Sequence, residues 1–179
     1  MHDLLNVRTA VYPAVGAAVT TDLIDFGGST GVVAVMNFGV PVEVLRIGIT
    51  VDDAELLDVG AGFSIKAWKY LIPGSSTNAV ALGTITTTAD VAKGSGLYNN
   101  LTTGDDNGET AEDGSLRNES VRNNFDDDNK FIILPGEQLV WDLTDAADTS
   151  GKGQVWVQYV ERPFAGTDVT ANAFTEVTA

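Results

Sequence analysis

The sequence predicts an all-β sandwich or barrel, and three observations carry that expectation. Short runs of alternating apolar and polar residues recur along the chain, with turn signals between them. No convincing amphipathic helix longer than two turns breaks the series. No period of roughly 20–50 residues repeats, which disfavours solenoids and propellers. At 179 residues the chain suits one domain with its own core.

Residues 1–18 read as an extended arm. Leu4, Leu5, Val7, Val11 and Val15 are apolar, but Pro13 and the small residues Ala14, Gly16, Ala17 and Ala18 give the segment little reason to fold alone. Pro13 would end any helix attempted over 3–10. The sandwich domain is expected over 19–163. It opens with TTDLIDF (20–26) and a GGSTG turn at 27–31. VVAVMNF (32–38) is apolar on both faces, as a central strand covered on both sides should be. After a break at Gly39 to Pro41, VEVLRIGITV (42–51) places Leu45, Ile47, Ile49 and Val51 on one face. Val44, Arg46, Gly48 and Thr50 take the other. Asp52, Asp53 and Glu55 mark a polar connection with room for one helical turn.

GFSIKAWKYLIP (62–73) sets Phe63, Ile65, Ala67 and Leu71 against Ser64, Lys66, Trp68 and Tyr70. Two aromatics on the more polar face suit either packing within the chain or an interface. PGSST (73–77) is a turn, and NAVALGTITTTADV (78–91) is a β-branched strand in which Gly83 suits a bulge. The character then changes. Residues 92–129 form a long acidic loop insertion. Between 104 and 129 it holds nine acids (Asp105, Asp106, Glu109, Glu112, Asp113, Glu119, Asp126, Asp127, Asp128) against two bases (Arg117, Arg122). A loop of that length within a compact domain points to function or to ordering by a partner. Residues 131–162, FIILPGEQLVWDLTDAADTSGKGQVWVQYVER, read as a hairpin. Leu139, Trp141 and Leu143 share a face of its first arm, and Val155, Val157 and Tyr159 share a face of its second. A Thr/Ala-rich tail, 164–179, follows.

Composition narrows function further. Cysteine is absent and His2 is the only histidine, so thiolate chemistry, Cys-type zinc sites and a buried His base are not available. A formal charge of −15 with ten basic residues disfavours direct binding to nucleic acid or to an anionic membrane surface. No apolar run approaches the roughly 20 residues that span a bilayer, and the N-terminus lacks the pattern of a secretory signal. GxGxxG and Walker patterns are missing. Asp142 and Glu161 lie near strand ends where an acid–base pair could sit, although 25 acids supply such pairs by chance. No cofactor is expected. DDNGE (105–109) and DDDN (126–129) carry hard oxygen ligands suited to calcium, but they do not follow EF-hand spacing, so a solvated acidic loop is the plainer reading. The chain reads as a non-enzymatic module.

A cysteine-free, acidic, all-β chain with an extended arm and a Thr/Ala-rich tail resembles a tailed-bacteriophage virion protein. The closing segment LPGEQLVWDLTDAADTSGKGQVWVQYVERP (134–163) is similar to the last strands of jelly-roll capsid decoration, or cement, proteins. There a PGE or PGD turn feeds a strand, and a V-x-V-x-Y strand follows a Gly-rich turn. The resemblance implies a jelly-roll-like β-sandwich of about eight strands. It also implies a homotrimer on the capsid exterior that reinforces the lattice of major capsid protein. On that reading Leu4, Leu5, Val7, Val11 and Tyr12 of the arm bury against another subunit. The rival is a carbohydrate-binding fibre or lectin-like module, with Trp68, Tyr70 and Trp156 as its exposed aromatics.

Overall fold

A computed structural model describes residues 7–13, 23–99, 131–147 and 151–162, together with the backbone of 173–175. Every regular element among these residues is a strand. In chain order they are β1 (Val7–Tyr12), β2 (Ile24–Asp25), β3 (Gly31–Asn37), β4 (Val42–Val51), β5 (Phe63–Tyr70) and β6 (Val80–Thr87). β7 (Gly96–Asn99), β8 (Ile132–Ile133), β9 (Gln138–Asp145), β10 (Lys152–Glu161) and β11 (Ala173–Thr175) follow. No helical turn forms over 52–55, where the acids leave no apolar face to anchor one.

The strands make two antiparallel sheets. The first runs β1-β10-β4-β7, with β2 beside β10 and β8 beside β4; the second runs β11-β3-β9-β5-β6. The pairing is nested along the chain. β1 pairs with β10, β3 with β9, β4 with β7 and β5 with β6, as in one long hairpin folded over itself. Contacts β10·β4 and β9·β5 then close the two sheets.

Both inner faces feed one core, the arrangement of a β-sandwich. Ile47, Ile49, Val155 and Val157 from the first sheet meet Phe63, Ile65, Leu139, Trp141 and Leu143 from the second. Phe26 meets Phe63 edge-on at 5.6 Å and Phe38 meets Tyr159 at 5.3 Å, each pair joining one sheet to the other. Full burial of side chains this size contributes roughly 1.5–3 kcal/mol each, so these residues decide the packing.

β7 (Gly96–Asn99) is a strand inside the stretch expected as a loop from residue 92, and in β3 only Ala34 and Met36 are buried although both faces were expected to be covered. Three further expectations change. The predicted hairpin over 131–162 does not form: β9 belongs to the second sheet and β10 to the first. Side by side, their apolar faces would have left both facing the same way with nothing opposite. Crossing between sheets sets them face to face. Phe26 clamps that crossing, its N–H donating to Gly151 O and its carbonyl accepting from Ala147 N, both at 2.8 Å. Gly151 holds a φ of 146° with Leu57 packed where a Cβ would stand, so glycine is required there.

The second change is in β4. Gln158 pairs with Arg46 but Tyr159 pairs with Val44, so Leu45 is an extra residue in a bulge. The alternation resets there, and Val44 joins Ile47 and Ile49 in the core. A bulge also occurs next to Gly83, where Leu82 has no partner between the Ala67–Gly83 and Trp68–Ala81 pairs.

The third change is at the end of β5. Leu71 is 40% exposed, and Lys69 takes the inward position instead. Its Nζ donates to Ile132 O at 2.7 Å and lies 3.2 Å from Glu137 Oε2. Glu137 in turn accepts from Leu134 N at 2.8 Å, closing the Pro-Gly-Glu turn in which Gly136 has a φ of 93°. The buried lysine is thereby paired rather than stranded.

Candidate outer-face sites

Each sheet carries aromatic residues on its outer face. On the second sheet, alternation along β5 brings Trp68 and Tyr70 to the same side, two residues apart. Register places Lys66 directly opposite Asp142 of β9 and Trp68 opposite Val140. Lys66 Nζ lies 4.2 Å from the centroid of the Trp68 ring, a cation–π contact. The loop from β5 to β6 folds back over this face. Trp68, Tyr70, Ser76, Asn78, Ala79 and Asp142 together line a cleft of about 340 Å³.

That loop is fixed by several hydrogen bonds. Ser75 N donates to Ile72 O at 3.0 Å, Thr77 N to Ser75 Oγ at 3.2 Å, and Ala79 N to Ser76 O at 3.1 Å. Gly74, at φ 72°, donates its N–H to Gln138 Oε1 at 2.7 Å, and Gln138 Nε2 donates to Asn37 Oδ1 at 2.9 Å. The loop is therefore tied through β9 to β3. Asn78 sits in the left-handed region, at φ 59°, a conformation that asparagine tolerates better than most residues. Tyr70 is 9% exposed. Burial, with the Asp142 carboxylate adding to it, raises the phenol pKa above its ordinary 10.0.

On the first sheet, one cross-strand row runs Val11–Trp156–Gly48–Tyr98 over four neighbouring strands. The Trp156 indole covers Gly48, where a Cβ would fall inside the ring. Trp156 and Tyr98 lie 6.4 Å apart, and Arg46 stands over Tyr98 at 5.8 Å.

Of the five arm residues expected to meet a partner, Leu4 and Leu5 lie outside the described residues. Val7, Val11 and Tyr12 belong to β1, an outer strand of the chain's own sheet. Val7 is 42% exposed, Val11 shares the outer face with Trp156, and Tyr12 packs against the core. Both calcium candidates also lie outside the described residues, among which no group of three or more acidic or histidine side chains gathers. Asp142 and Glu161 stand on different sheets, Glu161 paired with Arg8 at 3.2 Å. The contributions of Ser76 and Asn78 to the cleft were missed in the sequence. Their segment read only as a turn, because nothing in it tells which sheet face the turn covers.

No family model matches the chain, and no curated protein and no solved structure matches it.

Proposed function

We propose that this chain is a non-enzymatic virion structural protein, a jelly-roll decoration protein that binds the lattice of major capsid protein as a homotrimer and stabilises it. The observation that carries the reading is the nested strand order. Among the described residues, eight strands of four residues or more divide into β1-β10-β4-β7 and β3-β9-β5-β6. A double-sheet, eight-stranded jelly roll has this order, and capsid and lectin domains are built on it. A second support is β1, whose first three residues, Val7, Arg8 and Thr9, are exposed at the rim of the first sheet. A strand in that position suits addition to a neighbouring subunit. The strongly negative chain is also kept away from nucleic acid by its own charge.

The test is co-sedimentation with phage capsids assembled without this protein. Saturable binding is expected, with bound mass equal to three chains per occupied site and a raised disruption temperature of the capsids. Deleting 1–18 outright would strip β1 from β10, so the informative variant is Val7→Asp, which leaves the strand in place. It should lower occupancy while the protein's own melting curve stays unchanged. Failure of the wild-type protein to saturate any capsid site would overturn the proposal.

A further inference from the structure

The cleft beside Trp68 lies on the outer face of the second sheet, the sheet that does not contain β1. We propose that it binds a neutral saccharide, the apolar face of one sugar ring lying against Trp68 while its hydroxyls meet Asp142, Asn78 and Ser76. Three observations point there. The first is size: about 340 Å³ falls at the small end of the range of ligand clefts. The second is the lining. An indole and a phenol supply apolar area, and a carboxylate, an amide and a hydroxyl supply both donors and acceptors. A polyol with one C–H face suits that combination, its hydroxyls replacing water on the exposed Ser76 and Asn78 and the half-buried Asp142.

The third is charge. An anionic ligand would meet Asp142 and a chain of net charge −15. A cationic ligand would find carboxylate and aromatic rings, but Lys66 already holds its ammonium over the Trp68 ring at 4.2 Å. A second cation on that ring would face like-charge repulsion. A neutral ligand avoids both charge conflicts. Lys66 stands over one face of Trp68, so the sugar is assigned to the part of the ring that lines the cleft. Pre-organisation supports the site as well, since Gln138 and the turn hydrogen bonds fix the loop before any ligand arrives. Trp156 takes no part, because it stands on the outer face of the other sheet.

The experiment uses the full chain. A glycan array finds the class of sugar, and saturation-transfer NMR with neutral hexose oligosaccharides measures the affinity. Choline serves as the cationic probe and sialic acid as the anionic one. Binding of neutral sugars in preference to both is expected. Asn78→Gly keeps the left-handed backbone and removes the amide, and should weaken binding about tenfold, as the loss of one or two hydrogen bonds implies. Asp142→Asn should weaken it by a similar factor, and Trp68→Ala should abolish it. If Trp68→Ala fails to fold, Asn78→Gly decides. No neutral sugar bound, choline or sialic acid bound instead, or sugar bound equally by Asn78→Gly and Asp142→Asn would each overturn the inference. Capsid co-sedimentation of Asn78→Gly should match wild type, so the cleft and the capsid proposal can fail separately.

Discussion

Gly153 offers a direct test of the register that holds the first sheet together. It pairs with Val51 on one side and Ile24 on the other, where β10 is enclosed between β4 and β2. A Cβ there would collide with the backbone carbonyl of Thr50 and stand 2.8 Å from Phe26 Cε2. Neither can retreat. Thr50 is held in register by Gly96 on its far side, and Phe26 is fully buried edge-on to Phe63. Gly153→Ala would gain about 0.4–1 kcal/mol from the stiffer unfolded chain. Against that stand about 1–3 kcal/mol of overpacking and part of an aromatic contact worth about 0.5–1.5 kcal/mol. The net is a loss of about 2 kcal/mol. In urea the midpoint should fall by about 1 M, for a slope near 2 kcal/mol/M. Gly48→Ala is the control. Its obstacle is the half-buried Trp156 indole, which can swing outward, so its net cost should stay within about 1 kcal/mol. An unchanged or raised midpoint for Gly153→Ala, or equal losses at the two glycines, would refute the reasoning.

Two further expectations concern the second sheet. Lys69→Met leaves Glu137 and the Ile132 carbonyl without the ammonium in a site where both charged side chains are nearly buried, and should cost about 2 kcal/mol by chemical denaturation. Glu137→Gln keeps an acceptor for Leu134 N and should cost less, so a reversed order would count against the pairing. Tyr70 holds its proton more tightly when folded than when unfolded. The unfolded chain therefore ionises first as pH rises. The contribution of Tyr70 is complete below its ordinary pKa of 10.0 and is lost as pH climbs through the raised folded value. Tyr70→Phe should flatten the alkaline fall in melting temperature, and an identical alkaline profile in the two proteins would exclude this role.

The alternation along β5, β9 and β10 was legible because each strand has one face on a single core, and a period of two follows directly. β3 read as covered on both faces, yet Val32, Val33 and Val35 are only half-buried beside the buried Ala34 and Met36. The partnering of strands was not legible. β9 and β10 look like a hairpin because both are apolar on one side and a glycine stands between them. Whether such strands lie side by side or face to face depends on what covers them, and Phe26, more than a hundred residues earlier, supplies the clamp. Val44 was misplaced for a local version of the same reason: a bulge is set by the partner strand, and β4 alone does not announce that Leu45 will be skipped. Lys69 is similar, since its burial depends on Glu137 and Ile132. The cleft was half legible. Trp68 and Tyr70 stood out by alternation, while Ser76 and Asn78 needed the loop's anchorage to Gln138 to come into view.

Nested pairing also ties the arm to the domain in a way that bears on function. β1 meets β10 from Val7–Val160 through Tyr12–Val155, so the first and last long strands complete the same sheet. Gln154 Nε2 adds a hydrogen bond to Pro13 O at 2.7 Å, and Ala10 and Tyr12 pack on the core. Removing these residues would expose the hydrogen-bonding edge of β10 and uncover apolar surface at once. Loss of capsid binding after such a deletion would then report an altered sheet as readily as a lost contact. Alternation separates the two roles. The inward residues Ala10 and Tyr12 serve the core, whereas Val7, Thr9 and Val11 face outward or lie at the rim, where substitution leaves the core intact. A docking role for β1 therefore requires that outward substitutions reduce binding at constant stability. Inward ones should reduce stability first, with binding falling only as the folded fraction falls.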